Sequence, residues 1–399
     1  MKRGRRKIMT EGKRGNGTEL GKRFYDMFSR NDRERSAGNI NGIDLLSELT
    51  ATGGVTHEEA LLLLAAPEDI EELIRKKEAS GKDQSSLERL LLRSDEKRRL
   101  KVLIRADDVG QVTSGMKRGA QGIGLLRGEA ILYNNTRLYE IYCDWLKSEE
   151  EIERQHYRLR LISLWTEEWV AVLQAVGESL CAVSLAWDTA IACRPEIRHD
   201  LQDIQLESLY RALARCHEAG LDSRLELLAL WPADTADFIA AHDFIEEVGK
   251  QTLCHVKPSV VPKIGALLHP KIAPVDAAEI ARLADVIVVD TEKQSELHRF
   301  DEESSFRATD SFKMDEPITD WASPALLGSN LEEILLRIRR VKPHMVIRVS
   351  GEVTVSDLRR VYRLGISEVC CALDLVAAVR IAGIRLEWML SRLPTAEEA

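Results

Sequence analysis

The sequence predicts an α/β protein built on a closed (β/α)8 barrel of the TIM type, preceded by a short helical segment and a disordered basic N-terminus. Two observations carry that expectation. Beyond Leu100, brief β-rich or apolar runs alternate with longer amphipathic stretches, the pattern of a parallel sheet joined by crossover helices. The runs number eight: Val102 to Ala106, Gly122 to Leu126, Ala182 to Ala186, Glu226 to Leu230, Lys263 to Leu268, Val286 to Val289, Met345 to Val349 and Glu368 to Cys371. Between them, helical spacing marks Thr166 to Val176, Leu206 to Ala219, Ala236 to Val248, Asp276 to Leu283, Leu331 to Arg340 and Val355 to Leu364. In such a barrel the chemistry sits where strands end and βα loops begin.

Length and composition agree. A chain of 399 residues, 44% hydrophobic and 30% charged, belongs among globular proteins and is long enough for one barrel plus an extension. The net charge of −9 argues against general nucleic-acid affinity, which needs a concentrated positive surface. Residues 1 to 38 depart from that balance, with twelve Lys and Arg against five Asp and Glu. No secretory-type apolar stretch follows them, and nowhere do about 18 uninterrupted apolar residues suggest a membrane span, so a cytoplasmic protein is expected. The seven cysteines lack zinc-type pair spacing and read as reduced thiols.

Residues 1–40 form a basic arm with few large apolar groups and should not order alone. Their bland reading is a solvated tail; the sharper one is an arm that binds RNA or an acidic partner, with the barrel as scaffold. Over 41–99 the apolar residues recur at helical spacing, and Thr56 is placed to cap with Glu59 three residues on. The barrel then occupies 100–399.

The ends of the runs carry a recognisable motif. Gly119-Ala120-Gln121-Gly122-Ile123-Gly124-Leu125-Leu126-Arg127-Gly128-Glu129 closely resembles the Gly-Ala-Glu-Gly-Ile-Gly-Leu-x-Arg-Thr-Glu signature of the phosphoenolpyruvate-utilising enzymes, pyruvate phosphate dikinase foremost. Weaker likenesses follow in register: Ala182 to Asp188, Glu226 to Pro232, Gly265 to Lys271, Ala284 to Glu296, Gly351-Glu352, and Val369-Cys370-Cys371 with Arg380. Gly54-Val55-Thr56-His57-Glu58-Glu59-Ala60 resembles the linker that leaves the dikinase nucleotide domain. Gly53 to His57 is also similar to the family's phosphohistidine loop, but the helix pattern around it favours the linker.

The resemblance implies a site that holds phosphoenolpyruvate or pyruvate through arginines and Mg²⁺, with a positioned acid to protonate carbon. Here Arg127 and Glu129 stand at the second strand end, and Arg198 supplies a further candidate arginine. Leu185 replaces the third-strand arginine. The two metal-ligand positions read His269 and Lys293, neither of which offers Mg²⁺ a carboxylate, so no metal cofactor is expected. Lys293 could instead place an ammonium where the ion sat, and Glu292 stands where the family has a substrate-contacting Asn. Cys371 matches the family's acid cysteine, its bland reading being a small core residue. Arg127 likewise has a bland reading, an ion pair with Glu129 or a neighbouring loop. Trp187 and Trp231 follow the third and fourth strands and are bulky enough to fill a pocket.

These readings combine into a divergent phosphoenolpyruvate- or pyruvate-binding barrel, catalytically impaired, acting by ligand binding, regulation or assembly. Its expected partners are a small anion and a second chain, as a homodimer or a heterodimer with a complete paralogue. The rival is an active phosphotransferase that passes the phosphoryl group to a histidine on a separate protein, with Asp290 and Glu292 as displaced metal carboxylates.

Overall fold

The computed structural model describes residues 98–188, 191, 194–254, 261–291, 329–351 and 353–391, with 70, 72–75, 91, 92 and 95 ahead of them. The basic arm over 1–40 lies outside the described residues, as do most of 41–99, Glu292, Lys293 and Glu352.

Eight parallel strands close into a barrel in sequence order. They are β1 (Lys101–Ala106), β2 (Gly122–Leu126), β3 (Leu180–Ser184), β4 (Arg224–Leu230), β5 (Lys263–Leu268), β6 (Val286–Asp290), β7 (Val346–Ser350) and β8 (Glu368–Cys371). The ring shuts where Val102, Leu103 and Ile104 pair with Val369, Cys370 and Cys371. Every expected run is a strand, displaced by two residues at most. The largest shift is at β3, which leaves the ladder before Leu185 and Ala186.

The helices are α1 (Val109–Lys117), α2 (Gly128–Asn134), α3 (Thr136–Lys147), α4 (Glu151–Val176), α5 (Pro195–Glu218), α6 (Thr235–Thr252), α7 (Pro274–Leu283), α8 (Ser329–Val341), α9 (Leu358–Arg363) and α10 (Val376–Ser391). Local chemistry sets their starts. The side chains of Asp108, Asn135 and Asp234 accept from the backbone N–H of Gln111, Leu138 and Asp237, while Pro195 and Pro274 open α5 and α7. Three helices, α2 to α4, fill the crossover between β2 and β3. Among the described residues no helix is long and apolar enough to cross a membrane.

Alternation along the strands divides the core in two. One cluster, including Leu125, Ala182, Leu228, Leu267, Val288 and Cys370, fills the lumen. The other lies between barrel and helices and takes in Ile104, Val183, Val289, Val369 and Cys371 together with Ile70 and Ile74, so the segment before the barrel packs into the same outer layer.

The lower lumen also holds charge. Fully buried Arg348 on β7 bridges Glu226 of β4 at 3.0 Å and Glu368 of β8 at 2.6 Å, and donates to the Gly124 carbonyl at 3.0 Å. Lys101 reaches Glu368 from outside at 2.9 Å, so two cations meet two carboxylates. That balance is what makes a buried ionic group tolerable.

Candidate functional site at the barrel mouth

The β2–α2 turn is built on close approach. A Cβ on Gly128 would meet Gln205 Nε2 at 2.3 Å, the Ser184 carbonyl at 2.7 Å and Ala186 N at 2.8 Å, so only glycine lets this turn lie against the β3 exit. Gln205 holds that exit in place, donating to the Ser184 carbonyl at 2.9 Å and accepting from Ala186 N–H at 2.7 Å. Gly122, at φ 144°, is a similar close approach at the start of the same strand: its Cβ position is 2.6 Å from the carbonyl of Leu180, the first residue of β3. The glycines of the motif are thus packing requirements that aim the residues beside them.

The residue they aim is Arg127. Its guanidinium crosses the mouth and donates to Asp290 Oδ2 of β6 at 2.9 Å, with 14% of the Arg127 side chain and 1% of Asp290 exposed. Arg105, near the end of β1, also faces this carboxylate, and its Nε lies 3.6 Å from Asp107. Burial pushes the Asp290 carboxyl up, while Arg127, Arg105 and His269 each favour its charged form.

Two strands round the barrel from β2, Trp231 follows β4 with φ 44°, the only non-glycine positive φ among the described residues, a conformation that costs about 1–3 kcal/mol. Its N–H donates to the Leu267 carbonyl at 2.9 Å, and its ring meets that of His269 edge-on at 6.0 Å. The indole packs on the lumen cluster and closes its top on that side.

Glu129 and Arg198 are joined through Trp187. Glu129 Oε2 accepts from Trp187 N–H at 3.2 Å, and the Arg198 guanidinium lies over the Trp187 ring at 5.3 Å. Arg198, on the first turn of α5, therefore adjoins the mouth at one remove from Arg127. Burial pushes the Glu129 carboxyl up to about 7 despite Arg127 and the Trp187 N–H. Next to it, Asp188 is buried and accepts from the Tyr142 hydroxyl, and Tyr133, one turn beyond Glu129 on α2, also bonds Asp188.

Of the two readings of Cys371, the small core residue is the one the structure shows, and the acid reading is corrected. Cys371 belongs to the outer cluster, with Sγ 3.6 Å from the Leu103 carbonyl, and burial pushes its thiol up. Strand parity turns it away from the lumen, so it cannot donate a proton to a ligand held inside the mouth. Its neighbour Cys370 is the inward residue, with burial pushing its thiol up to about 11.

His269 Nδ1 accepts from Lys271 N–H at 3.1 Å, Asp290 is engaged by a guanidinium, and no group of three His, Cys, Asp or Glu among the described residues is placed to hold a metal. Arg380, matched to the family's late arginine, is structural: it pairs with Asp95 and donates to the Arg118 carbonyl at 2.8 Å.

A cleft of about 400 Å³ lies at the rim rather than on the Arg127–Asp290 pair, lined by Asp108, Asn134, Asn135, Arg137 and Glu168. Its polar groups answer one another, as Asn135 Nδ2 donates to Glu168 at 2.7 Å.

Arg105, Asp290 as the partner of Arg127, and the Arg348 network are the residues that sequence reading passed over or left in a minor role. Their signal is a charged residue at an inward, alternate position of an otherwise apolar strand.

No family model matches the chain, and no curated protein matches it.

Proposed function

We propose that this protein is a small-anion-binding barrel of the phosphoenolpyruvate/pyruvate type that acts by binding, regulation or assembly rather than by turnover. The observation that supports this reading is the convergence of Arg127 and Arg105 on one carboxylate at the mouth, in a turn whose glycines match the family signature. Guanidinium groups at a partly desolvated strand end suit a carboxylate or phosphoryl oxygen, and Asp290 stands where such an oxygen would. Arg198 completes the cationic side of the mouth, and Lys293 is proposed as a further anion contact. Loss of metal-ligating carboxylates removes the charge stabilisation that phosphoryl transfer needs. Assembly as a homodimer, or with a catalytically complete paralogue, belongs to the same proposal.

A second reading, an active phosphotransferase feeding a histidine on another protein, is favoured by one observation: Glu129, with its carboxyl near 7, can donate a proton at neutral pH. An assay of pyruvate formation from phosphoenolpyruvate, Mg²⁺ and candidate histidine carriers separates the two. The binding reading expects no turnover; turnover abolished by Arg127→Ala ends it.

A further inference from the structure

We infer that anion capture at Arg127 is coupled to protonation of Glu129, so that a small carboxylate enters the mouth together with one proton. This rests on the anion-binding reading above and states how that same site is regulated.

The geometry comes first. Glu129 sits two residues past Arg127 in the first turn of α2, on a turn pressed against β3 by Gly128. The groups that face it come from each neighbouring element: Arg127 from the β2 turn, Asp107 from the β1 rim, the Trp187 N–H from the β3 exit, and Tyr133 from α2 itself. Tyr133 also bonds Asp188, whose carboxylate takes the Tyr142 hydroxyl of α3, so the acidic side of Glu129 is already supplied with donors. Arg127 is answered by Asp290, and Arg105 lies beside Asp107. These four charges answer one another, and Asp188 already adds a carboxylate on the far side of Glu129, so ionised Glu129 adds further negative charge beside the arginine an incoming anion must engage.

The consequence follows from linkage. A carboxylate brought to Arg127 stabilises the protonated form of Glu129, and by reciprocity protonated Glu129 strengthens anion binding. Burial already holds this carboxyl near 7, so the exchange falls in the neutral range. Coupling to one proton weakens affinity by about tenfold per pH unit above the carboxyl midpoint. His269, across the mouth beside Asp290, is the other group an anion could help to protonate, and a variant separates the two.

The test uses the full chain and pyruvate, whose own charge is constant from weakly acidic to weakly alkaline pH. Carbon-13 NMR of glutamate-labelled protein, assigned with Glu129→Gln, follows the Glu129 carboxyl with and without pyruvate. Calorimetry in buffers of differing ionisation enthalpy counts protons taken up near neutrality. The expected result is a Glu129 midpoint that rises when pyruvate binds, and proton uptake that is lost in Glu129→Gln and kept in His269→Gln. Pyruvate binding without proton uptake, or with an unmoved Glu129 midpoint, overturns the coupling and leaves the anion site standing. No pyruvate binding at any pH overturns the anion site and the coupling with it. Should Glu129→Gln fail to fold, the wild-type proton count and the His269→Gln comparison still decide the matter.

Discussion

Arg127 and Asp290 meet at 2.9 Å although they stand at the ends of β2 and β6, diametrically opposite strands of the closed barrel. In the proposed anion site the carboxylate is an internal counter-anion that a ligand must displace or share. Asp290→Asn keeps the shape and removes the charge, and should tighten pyruvate binding by about tenfold, the gain expected from relieving one like-charge contact. Calorimetric titration of both proteins checks this, and equal or weaker binding by the variant speaks against Asp290 as a competitor.

The same pair predicts a stability effect. Arg127→Ala leaves a carboxylate that is 1% exposed without its guanidinium and should cost about 3 kcal/mol in chemical denaturation. Restoring neutrality with Arg127→Ala plus Asp290→Asn should recover much of the loss, and a simple sum of the two single effects argues against coupling.

Arg348 makes a sharper case because it is wholly buried between Glu226 and Glu368. Arg348→Ala should destabilise by about 3–5 kcal/mol, since two lumen carboxylates lose their common partner. Burial pushes Glu368 up, but Arg348 and Lys101 outweigh it and hold the carboxyl below its usual 4.5. The stability Glu368 contributes is therefore present above that value and lost as pH falls through the lower folded one. Urea midpoints of wild type and Glu368→Gln should converge on acidification, and a constant gap contradicts the assignment.

Glu129 has the opposite sign. Its folded carboxyl is raised from 4.5 to about 7, so native stability is full below 4.5 and declines as pH climbs toward 7. Glu129→Gln removes that penalty, and should be more stable than wild type by about 3 kcal/mol at pH 8 and no more stable at pH 4. Melting curves at both values decide it.

Gly128→Ala should also be costly. The added methyl meets two backbone atoms of the β3 exit inside 3 Å, which cannot swing away as a side chain can. A loss of about 1–3 kcal/mol, with weakened anion binding as Arg127 and Glu129 shift, is the expected outcome. A variant matching wild type in both respects shows that the turn has slack.

The strands were legible because each is a short β-branched or apolar run, and because a parallel sheet buried on both faces needs no polar alternation. Helix α4 is only half legible: its first part, Glu151 to Arg160, is so charged that the apolar stripe shows only over Thr166 to Val176. Arg127 was legible through the glycine pattern around it, which the packing at Gly122 and Gly128 explains. The direction of Cys371 is concealed by a run of four consecutive buried residues; the inward Glu368 is the clue that Cys370 points inward and Cys371 outward. The Arg127–Asp290 contact joins positions 163 apart in sequence, and no local pattern announces such a meeting.

The proposed anion site is metal-independent and centred on Arg127. Calorimetric titration of phosphoenolpyruvate and of pyruvate, with Mg²⁺ and again with a chelator, into wild type and Arg127→Ala tests it most directly. The expected result is the same affinity with and without the metal, and its loss in the variant. Binding that requires Mg²⁺, or that survives removal of the guanidinium, contradicts it.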